Sequence, residues 1–168
     1  MINNYTDFIE ESYLNSNFAP LYHRTTSYQI FDIINTNILK MTNFNNPFKD
    51  EKIKMVSLTR NKYLNLDYYK PFLDVNIELD RNKLMKTYKI IPYDFFIHSK
   101  IEDKPKSNTK RESPFEFEEI ILKDINNIIH YIISIDFQNN SILDRPVAFV
   151  LPILRNRKIT IYNDGKEY

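Results

Sequence analysis

The sequence predicts an α+β fold, and three features of its pattern favour that class. Residues 73–79 alternate strictly between apolar and polar side chains, which is typical of a half-buried strand. Apolar residues between Ile30 and Ile38 recur at spacings of three and four, which indicates a helix with one apolar face. The other strand-like segments are short and follow one another as in hairpins, with few helices long enough to cross between them, so a mixed α+β arrangement is expected.

Length and composition limit the classes of protein that fit. The 168 residues predict one domain over 1–168, and a hydrophobic content of 42% is enough for a packed core. The single glycine, Gly165, excludes a phosphate-binding P-loop and a dinucleotide fingerprint, because both need several glycines. The absence of cysteine excludes disulfides, thiolate metal sites and a cysteine nucleophile. With 23 basic and 22 acidic residues, the net charge of +1 does not indicate a general binder of nucleic acid or acidic lipid.

The sequence carries no sign of membrane insertion or export. No segment is apolar over the length that crosses a bilayer. The first residues, MINNYTDFIEESY, are too polar and acidic for a signal peptide. Together with the absence of cysteine, these features predict a cytoplasmic protein without a membrane partner.

The first third of the chain predicts two helices around a short strand. Within the N-terminal segment 1–19, residues 6–18 are expected to be helical, because acidic residues crowd the first turn and Pro20 follows. Residues 21–26 (LYHRTT) are predicted as a short strand that leads into a turn. Ser27 is then the expected N-cap of the helix that carries the isoleucines.

A further strand is predicted before the alternating one, between polar loops. Residues 53–59 (IKMVSLT) would place Val56 and Leu58 on one face and Ser57 and Thr59 on the other. Three polar segments are predicted as loops, the last of them mobile: 42–52, 61–72 and 98–114.

The second half of the chain predicts short elements. They are a turn or short helix followed by three strands, at 80–83, 88–91, 129–137 and 158–162. Residues 141–156 are ambiguous in sequence. Asp144 followed by Pro146 is typical of a helix start, whereas Pro152 would interrupt a long helix.

Two short motifs carry polar side chains on predicted strands. In LYHRTT, His23 stands near the end of an early strand, where its imidazole can hydrogen-bond a ligand hydroxyl or amide. Taken alone, His23 is more readily explained as a structural residue. In VSLTR, Ser57 and Thr59 offer hydroxyls along one face, and the Arg60 guanidinium has the fork geometry that suits a phosphate.

The third motif, FEFEE, permits two geometries. As a strand it would put Glu116 and Glu118 on one face, with a repulsion that chains avoid unless the charge has a use. As a helix start, Ser113 and Pro114 would form a capping box with Glu116, leaving Glu118 and Glu119 in the first turn. From the local sequence, the helix start is at least as well supported as the strand.

No metal site is predicted. The three histidines, His23, His98 and His130, are far apart in sequence, and none has the spacing of a ligand motif. Aspartate-rich metal loops and a serine nucleophile elbow are absent as well.

Taken in order, the three motifs resemble the ADP-ribosyltransferase fold, and more closely a group of small phage-type proteins of that fold. The order is His-Arg-Thr near the start, Ser-Leu-Thr-Arg before the alternating strand, and an acidic patch past the middle. The resemblance covers about residues 20–165, and these segments carry it: 21–25, 56–60, 75–80, 83–84, 88–92, 116–119 and 159–162.

The resemblance implies a split antiparallel sheet, with a few helices, around a cleft that holds NAD as substrate. The first motif would bind a ribose on the adenosine side or the nicotinamide side. The second motif would brace the nicotinamide pocket with its hydroxyls and contact a phosphate with its arginine. The residues that the resemblance assigns to NAD binding are His23, Arg24, Thr25, Ser57, Thr59 and Arg60.

The resemblance assigns catalysis to the acidic patch. Glu118 would be the catalytic carboxylate, Glu116 its upstream partner in an ExE pair, and Glu119 the alternative to Glu118. Cleavage of the nicotinamide–ribose bond creates an oxocarbenium-like centre, which a fixed carboxylate stabilises. Glu116 would activate the acceptor nucleophile as a general base.

The implied activity is transfer of ADP-ribose to a host protein or nucleic acid in the cytoplasm of a bacterial host, by a phage-encoded or bacterial protein. Two other functions stay open. A non-catalytic phage-encoded inhibitor that binds a host or defence protein would show an exposed aromatic patch, for example over 63–72. A relative of the RNA 2′-phosphotransferases would need a more basic cleft than the near-neutral charge indicates.

Overall fold

The computed structural model describes residues 19–45, 52–60, 62, 73–92 and 118–168. Within these residues the chain forms eleven strands, three α-helices and two short 3-10 helices. The strands are β1 (Leu21–Thr25), β2 (Ile38–Leu39), β3 (Thr42–Asn45), β4 (Lys52–Thr59), β5 (Val75–Leu79), β6 (Ile91–Pro92), β7 (Glu118–Ile121), β8 (Ile125–Asn126), β9 (Ile132–Phe137), β10 (Thr160–Asn163) and β11 (Lys166–Glu167). The helices are α1 (Ser27–Thr36), α2 (Arg81–Met85) and α3 (Arg145–Asn156), and the 3-10 helices are Ile128–His130 and Ser141–Leu143.

Nine of the described strands form one sheet. Their order is β11-β10-β9-β5-β1-β4-β7-β6, with β3 paired to β4. Among the described pairs, only β9 and β10 run parallel. Strands β2 and β8 form a separate two-stranded sheet. A mostly antiparallel sheet with a few helices confirms the predicted α+β class.

Strand alternation gives the central sheet an apolar face, here called the core face. Leu21 of β1, Ile77 of β5 and Ile135 of β9 are fully buried and occupy this face. Helices α1 and α3 contribute Ile30 and Val150 to the same cluster. The core therefore lies between one side of the sheet and these two helices.

The other side of the sheet, here called the polar face, carries the residues between those of the core face. Arg24 of β1 lies opposite Asn76 of β5 in the strand register. Asn76 lies opposite Asp136 of β9, and Asp136 lies opposite Tyr162 of β10. A row of four polar residues thus crosses four adjacent strands.

Helix α1 is capped by Thr26, so the prediction of Ser27 as the N-cap is wrong by one residue. The Thr26 hydroxyl accepts a hydrogen bond from the Gln29 N–H at 3.1 Å. Ser27 is instead the buried first residue of the helix, and its N–H donates to Asp74 Oδ1 at 2.9 Å. Thr26 and Ser27 are both residue types that are favoured at an N-cap. Asp74, distant in sequence, accepts from the Ser27 N–H, so the first helical residue is Ser27 and the cap is Thr26.

Helix α3 resolves the ambiguity of residues 141–156 in favour of a helix. Pro146 stands in its first turn, where a missing N–H costs nothing. Pro152 lies inside the helix but on its exposed side, and the carbonyl that loses its partner belongs to exposed Ala148, where water can replace it. Amphipathic packing then outweighs the proline; the buried side carries Val147, Val150 and Leu154.

Several predicted boundaries are corrected. Residues 42–52 are not all loop, because β3 and the first residue of β4 pair as antiparallel strands there. The strand predicted at 88–91 is reduced to the two residues of β6. The strand predicted at 129–137 begins only at Ile132, since a 3-10 helix precedes it. The polar residues of β3 do not show the alternation of a strand, and its pairing with β4 cannot be read from the local sequence.

Three predictions lie outside the described residues. They are the N-terminal helix at 6–18, the mobile loop at 98–114 and nearly all of the loop at 61–72. Of the helices that the structure describes, none combines the length and apolar character needed to cross a membrane.

Candidate functional site

The candidate site lies between β1 and β4, which share fewer register pairs than any other neighbouring strands that the structure describes. Strand β1 pairs with β5 over all five of its residues. With β4 it shares a single register pair, Tyr22 with Thr59. We call this the seam. At the seam, fewer main-chain contacts join the two strands than at the neighbouring β1–β5 boundary. Side-chain hydrogen bonds can then join β1 to β4 in place of main-chain ones.

His23 bridges the seam. Its Nδ1 lies 3.0 Å from the carbonyl oxygen of Ser57 on β4. A carbonyl only accepts hydrogen bonds, so Nδ1 carries the proton and Nε2 of the neutral ring is left as an acceptor. Burial lowers the pKa of His23, and the hydrogen bond to Ser57 opposes that shift only in part. The structure therefore joins two residues from separate sequence motifs, with the imidazole held neutral near pH 7.

Ser57, Thr59 and Glu118 occupy neighbouring positions on the polar face. Thr59 lies opposite Tyr22 on one side and opposite Glu118 on the other. Ser57 is two residues earlier on the same strand and is half-buried. Strand β7 begins at Glu118, so the acidic patch is a strand at this point and not the start of a helix. Glu116 lies outside the described residues.

Glu119, the next residue of β7, takes the opposite face. Its position pairs with Leu58, a core residue. Its carboxylate is fully buried, with Oε1 at 2.8 Å from Arg60 Nε and 3.1 Å from Arg81 Nη2. Arg81 Nε also donates to Oε2 at 3.3 Å. Since both guanidiniums are almost fully buried, the cluster holds one negative and two positive charges inside the protein.

This buried cluster ties three strand ends together. Arg60 follows β4, Arg81 opens α2 directly after β5, and Glu119 belongs to β7. Removing one partner of a buried ion pair leaves an uncompensated charge in a low-dielectric region, which is strongly destabilising. The geometry thus gives Arg60 and Glu119 a structural contact. Their expected roles in phosphate contact and catalysis stay predictions.

Arg24 fastens the polar face. Its Nη2 donates to the Lys62 carbonyl at 2.6 Å, and its Nη1 donates to Gln138 Oε1 at 3.3 Å. The Lys62 ammonium in turn lies 5.8 Å from the centre of the Tyr162 ring. Burial lowers the pKa of the Arg24 guanidinium, and the charge of Asp136 partly restores it. One side chain therefore connects β1 to the segments that follow β4 and β9.

Two buried polar atoms of the row have no hydrogen-bond partner within the described part of the chain. They are Arg24 Nε and Asn76 Oδ1, which belong to residues opposite one another on β1 and β5. Buried polar atoms without partners are uncommon in folded proteins, and a water, an ion or a ligand group can supply such a partner. Among the described residues, the polar face therefore has hydrogen-bonding atoms beside the seam that no described group satisfies.

Thr25, the last residue of β1, is on the core face and does not lie beside the unsatisfied atoms of the polar face. It is buried, and its hydroxyl donates to Gln29 Oε1 at 2.9 Å, at the start of α1. The seam itself collects most of the other predicted residues from three adjacent strands: His23, Arg24, Ser57, Thr59, Arg60, Glu118 and Glu119.

The sequence reasoning missed the partners that hold this region together. Asn76 and Asp136 lie on strands that were predicted only by their apolar pattern. Arg81 carried a signal, because a cation in the first turn of a helix opposes the helix dipole and needs another reason to be there. Its contact with Glu119 supplies that reason.

Among the described residues, no group of three or more histidine, aspartate or glutamate side chains is placed to hold a metal ion. The region carries hydrogen-bonding groups on both sides of the sheet: Ser57, Thr59 and the unmet atoms of the row on the polar face, and the His23 imidazole on the side of β1 that faces Ile77.

No protein-family model matches this chain, and no curated protein sequence matches it. The sequence motifs and the geometry of the seam are the observations from which a function can be inferred.

Proposed function

We propose that this chain is an ADP-ribosyltransferase-like protein that transfers ADP-ribose from NAD to a macromolecular acceptor, a protein or a nucleic acid, in the cytoplasm of a bacterial cell. The observation that carries the proposal is the seam, where β1 and β4 share one register pair and His23 bridges the remainder. In the proposed fold, an antiparallel sheet splits around the NAD cleft, and the seam is the place where this sheet would split.

The chemistry of His23 suits a ribose. With Nδ1–H donated to the Ser57 carbonyl, Nε2 is available to accept a hydrogen bond from a ribose hydroxyl. Burial lowers the pKa of His23, which keeps Nε2 an acceptor at neutral pH. A protonated ring would have two donors and no acceptor. Desolvation favours the neutral ring, whose Nε2 can accept a hydrogen bond from a hydroxyl.

His23 shares the side of β1 that carries Leu21 and Thr25, so NAD would reach both sides of this strand at the seam, and the polar face supplies groups for the rest of the molecule. The hydroxyls of Ser57 and Thr59 stand two residues apart on one strand face and would brace the nicotinamide amide. Arg24 Nε and Asn76 Oδ1 are a donor and an acceptor without partners in the described chain, next to the strand that carries His23. A ligand that hydrogen-bonds either atom removes a desolvation cost that the free protein bears.

The reaction would proceed by departure of nicotinamide. The bond between the ribose C1′ and the nicotinamide nitrogen breaks, its electron pair goes to that nitrogen, and neutral nicotinamide leaves. The positive charge that develops at C1′ is stabilised by the Glu118 carboxylate. An acceptor nucleophile then bonds to C1′ and gives up its proton, for which Glu116 is the proposed base.

Strand geometry favours Glu118 over Glu119 as the catalytic carboxylate. The position of Glu118 is opposite Thr59, on the face that carries Ser57. Glu119 is on the other face, fully buried and paired with two arginines. A carboxylate already neutralised by two guanidiniums gains little when positive charge develops elsewhere, so its contribution to the transition state would be small.

The test is nicotinamide release from NAD by the purified protein, with and without bacterial lysate. Glu118→Gln is compared with Glu167→Gln, which makes the same chemical change at an exposed site on β11. Losing one preorganised stabilising group costs about 10²- to 10³-fold in rate, so that loss is expected in Glu118→Gln alone. Circular dichroism checks that both variants are folded.

No release from the wild-type protein in either condition, together with no thermal shift on adding NAD, would overturn the proposal. The chain would then be studied as a non-catalytic protein that binds a host or defence component. Equal release by wild type and Glu118→Gln would keep the NAD chemistry and remove Glu118 from it.

A further inference from the structure

A second candidate site lies outside the seam, in a cavity with cationic walls. The cavity measures about 340 Å³ and is lined in part by α2, the 3-10 helix Ile128–His130 and the residues that follow α3. Four of its lining residues have basic side chains and are exposed to solvent; they are Lys83, His130, Arg157 and Lys158, and together they define the cationic pocket. None of the described residues that line the cavity carries a carboxylate.

A hydrogen-bonded frame of two asparagines fixes one side of the cationic pocket. Asn37 Nδ2 donates to Asn127 Oδ1 at 3.0 Å, and Asn37 Oδ1 accepts from the Ile129 N–H at 3.0 Å. Buried Ile132 and Ile159 also line the cavity, but most of its lining surface is polar. The cationic pocket is therefore a mainly polar cavity on a fixed frame.

Lys158, which lines the cavity, adopts a backbone conformation that is unfavourable for residues other than glycine. Its φ is +56°, in the left-handed region where glycine is favoured and a β-carbon is strained. Asn37 and Asn127 share this conformation, with φ values of +55° and +56°, so three of the lining residues adopt it. At Lys158 this conformation belongs to the turn that ends α3, in which the Ile159 N–H donates to the Leu154 carbonyl at 3.1 Å, and it makes a lysine part of the lining at a position that suits glycine.

Lys83 of the cationic pocket forms an ion pair with an acidic residue. Asp80 Oδ2 lies 3.4 Å from the Lys83 ammonium, but both groups are partly exposed. Exposed pairs of this kind contribute little and are readily exchanged for another anion. Arg157 and Lys158 have no such ion pair among the described residues, so at least two full positive charges face the cavity.

We propose that the cationic pocket binds a phosphate monoester of about mononucleotide size. The guanidinium of Arg157 presents paired donors that match phosphate oxygens, and Lys83 and Lys158 add point charges. The volume is within the range of small-molecule sites, and the polar lining suits the phosphate and the hydroxyls of an attached sugar. The pocket shares no residue with the polar face, so this binding does not depend on the proposed NAD chemistry.

The test uses uridine monophosphate, inorganic phosphate and uridine, each titrated into the ¹⁵N-labelled full chain. Uridine monophosphate is expected to shift the amide resonances of Asn127, Ile129 and Lys158. Inorganic phosphate should shift the same amides more weakly, and uridine should leave them in place. Raising the salt concentration should weaken binding of both phosphates, because the contacts are ionic.

The decisive variant is Lys158→Gly. Glycine removes the ammonium group and adopts a φ of +56° without strain. The substitution should therefore not destabilise the fold. Its affinity for uridine monophosphate is expected to fall at least tenfold, and Arg157→Gln should give a similar loss. Lys166→Ala removes one exposed positive charge on β11, away from the cavity, and should bind as wild type does.

Two results would overturn the proposal. One is the absence of saturable shifts at the cationic pocket with uridine monophosphate. The other is an equal loss of affinity in Lys158→Gly and Lys166→Ala, which would mean that any exposed positive charge attracts the ligand.

Discussion

The two faces of the central sheet show how differently neighbouring residues of one strand can be used. On the core face, β5 and β9 present aliphatic side chains to α1 and α3, and the Glu119 carboxylate of β7 is neutralised by two arginines. On the polar face, β1, β5 and β9 present Arg24, Asn76 and Asp136, and two of their buried atoms lack partners in the described chain. The charges described on the core face are paired, whereas the described polar face has hydrogen-bonding atoms left for a ligand.

The adjacent glutamates of β7 show the same contrast at the scale of one residue. Glu118 and Glu119 are identical in chemistry and consecutive in sequence, but their register positions on β7 belong to opposite faces of the sheet. One is placed to stabilise the fold and the other is proposed to stabilise a reaction. Substitutions can separate these two roles, because stability and activity are measured independently.

The largest expected effect is on the core face. Glu119→Gln leaves the Arg60 and Arg81 guanidiniums buried without a balancing charge, and breaking a buried pair costs about 3–5 kcal/mol. Urea unfolding should therefore show a loss of that order in the free energy of unfolding. Glu167→Gln, at an exposed position, should change it by less than about 0.5 kcal/mol. A loss below about 1 kcal/mol in Glu119→Gln would mean that the cluster is not a structural tie.

On the polar face, Arg24→Met should cost less. The substitution keeps an unbranched stem but removes the hydrogen bonds to the Lys62 carbonyl and to Gln138. Hydrogen bonds to charged groups contribute about 1.5–3 kcal/mol, so the free energy of unfolding should fall by about that amount. Arg145→Met, at an exposed position on α3, is the matched control. Equal stability of the two variants would show that Arg24 does not fasten the polar face.

The seam should respond to acid through His23. Its pKa in the folded state lies below the ordinary value of 6.5 because the ring is desolvated. Below pH 6.5 the unfolded chain therefore binds the proton that the folded chain resists, and stability falls as the pH drops toward the folded pKa. The slope is at most about 1.4 kcal/mol per pH unit for one group.

His23→Gln should remove this acid-dependent loss, since a glutamine amide can donate to the Ser57 carbonyl and does not titrate. Unfolding curves of wild type and His23→Gln, compared between pH 7.5 and 5, measure the difference. Asn156→Gln changes an exposed residue that has no ionisable side chain and should retain the wild-type slope. If His23→Gln keeps that slope as well, His23 is not the group that destabilises the seam in acid.

The smallest effect concerns the helix layer that covers the core face. Thr26→Ala removes the side-chain cap of α1 and should cost about 1 kcal/mol. Ser27→Ala keeps the backbone N–H that donates to Asp74 and should change stability by less than about 0.5 kcal/mol. The reverse order would restore Ser27 as the cap.

Sequence periodicity was sufficient for much of the fold and insufficient for the site. The strand predicted at 73–79 is observed over Val75–Leu79, the helix is observed over Ile30, Ile33 and Ile34 but ends before Ile38, and Val56 and Leu58 join the core as local alternation predicts. Strand β3 was missed because its polar residues are stabilised by pairing with β4, which a local pattern does not contain. Likewise, nothing local distinguishes Glu118 from Glu119, since the choice between strand and helix start depends on the Thr59–Glu118 register.

The most direct test of the division between the two faces is to titrate NAD into the ¹⁵N-labelled chain and follow its amide resonances. Binding at the seam predicts saturable shifts at Tyr22, His23, Ser57 and Thr59, with smaller changes on α3. The same titration of His23→Gln should show weaker binding, because glutamine no longer offers a neutral ring acceptor beside β4. No shifts at the seam, or shifts confined to the cationic pocket, would contradict the account.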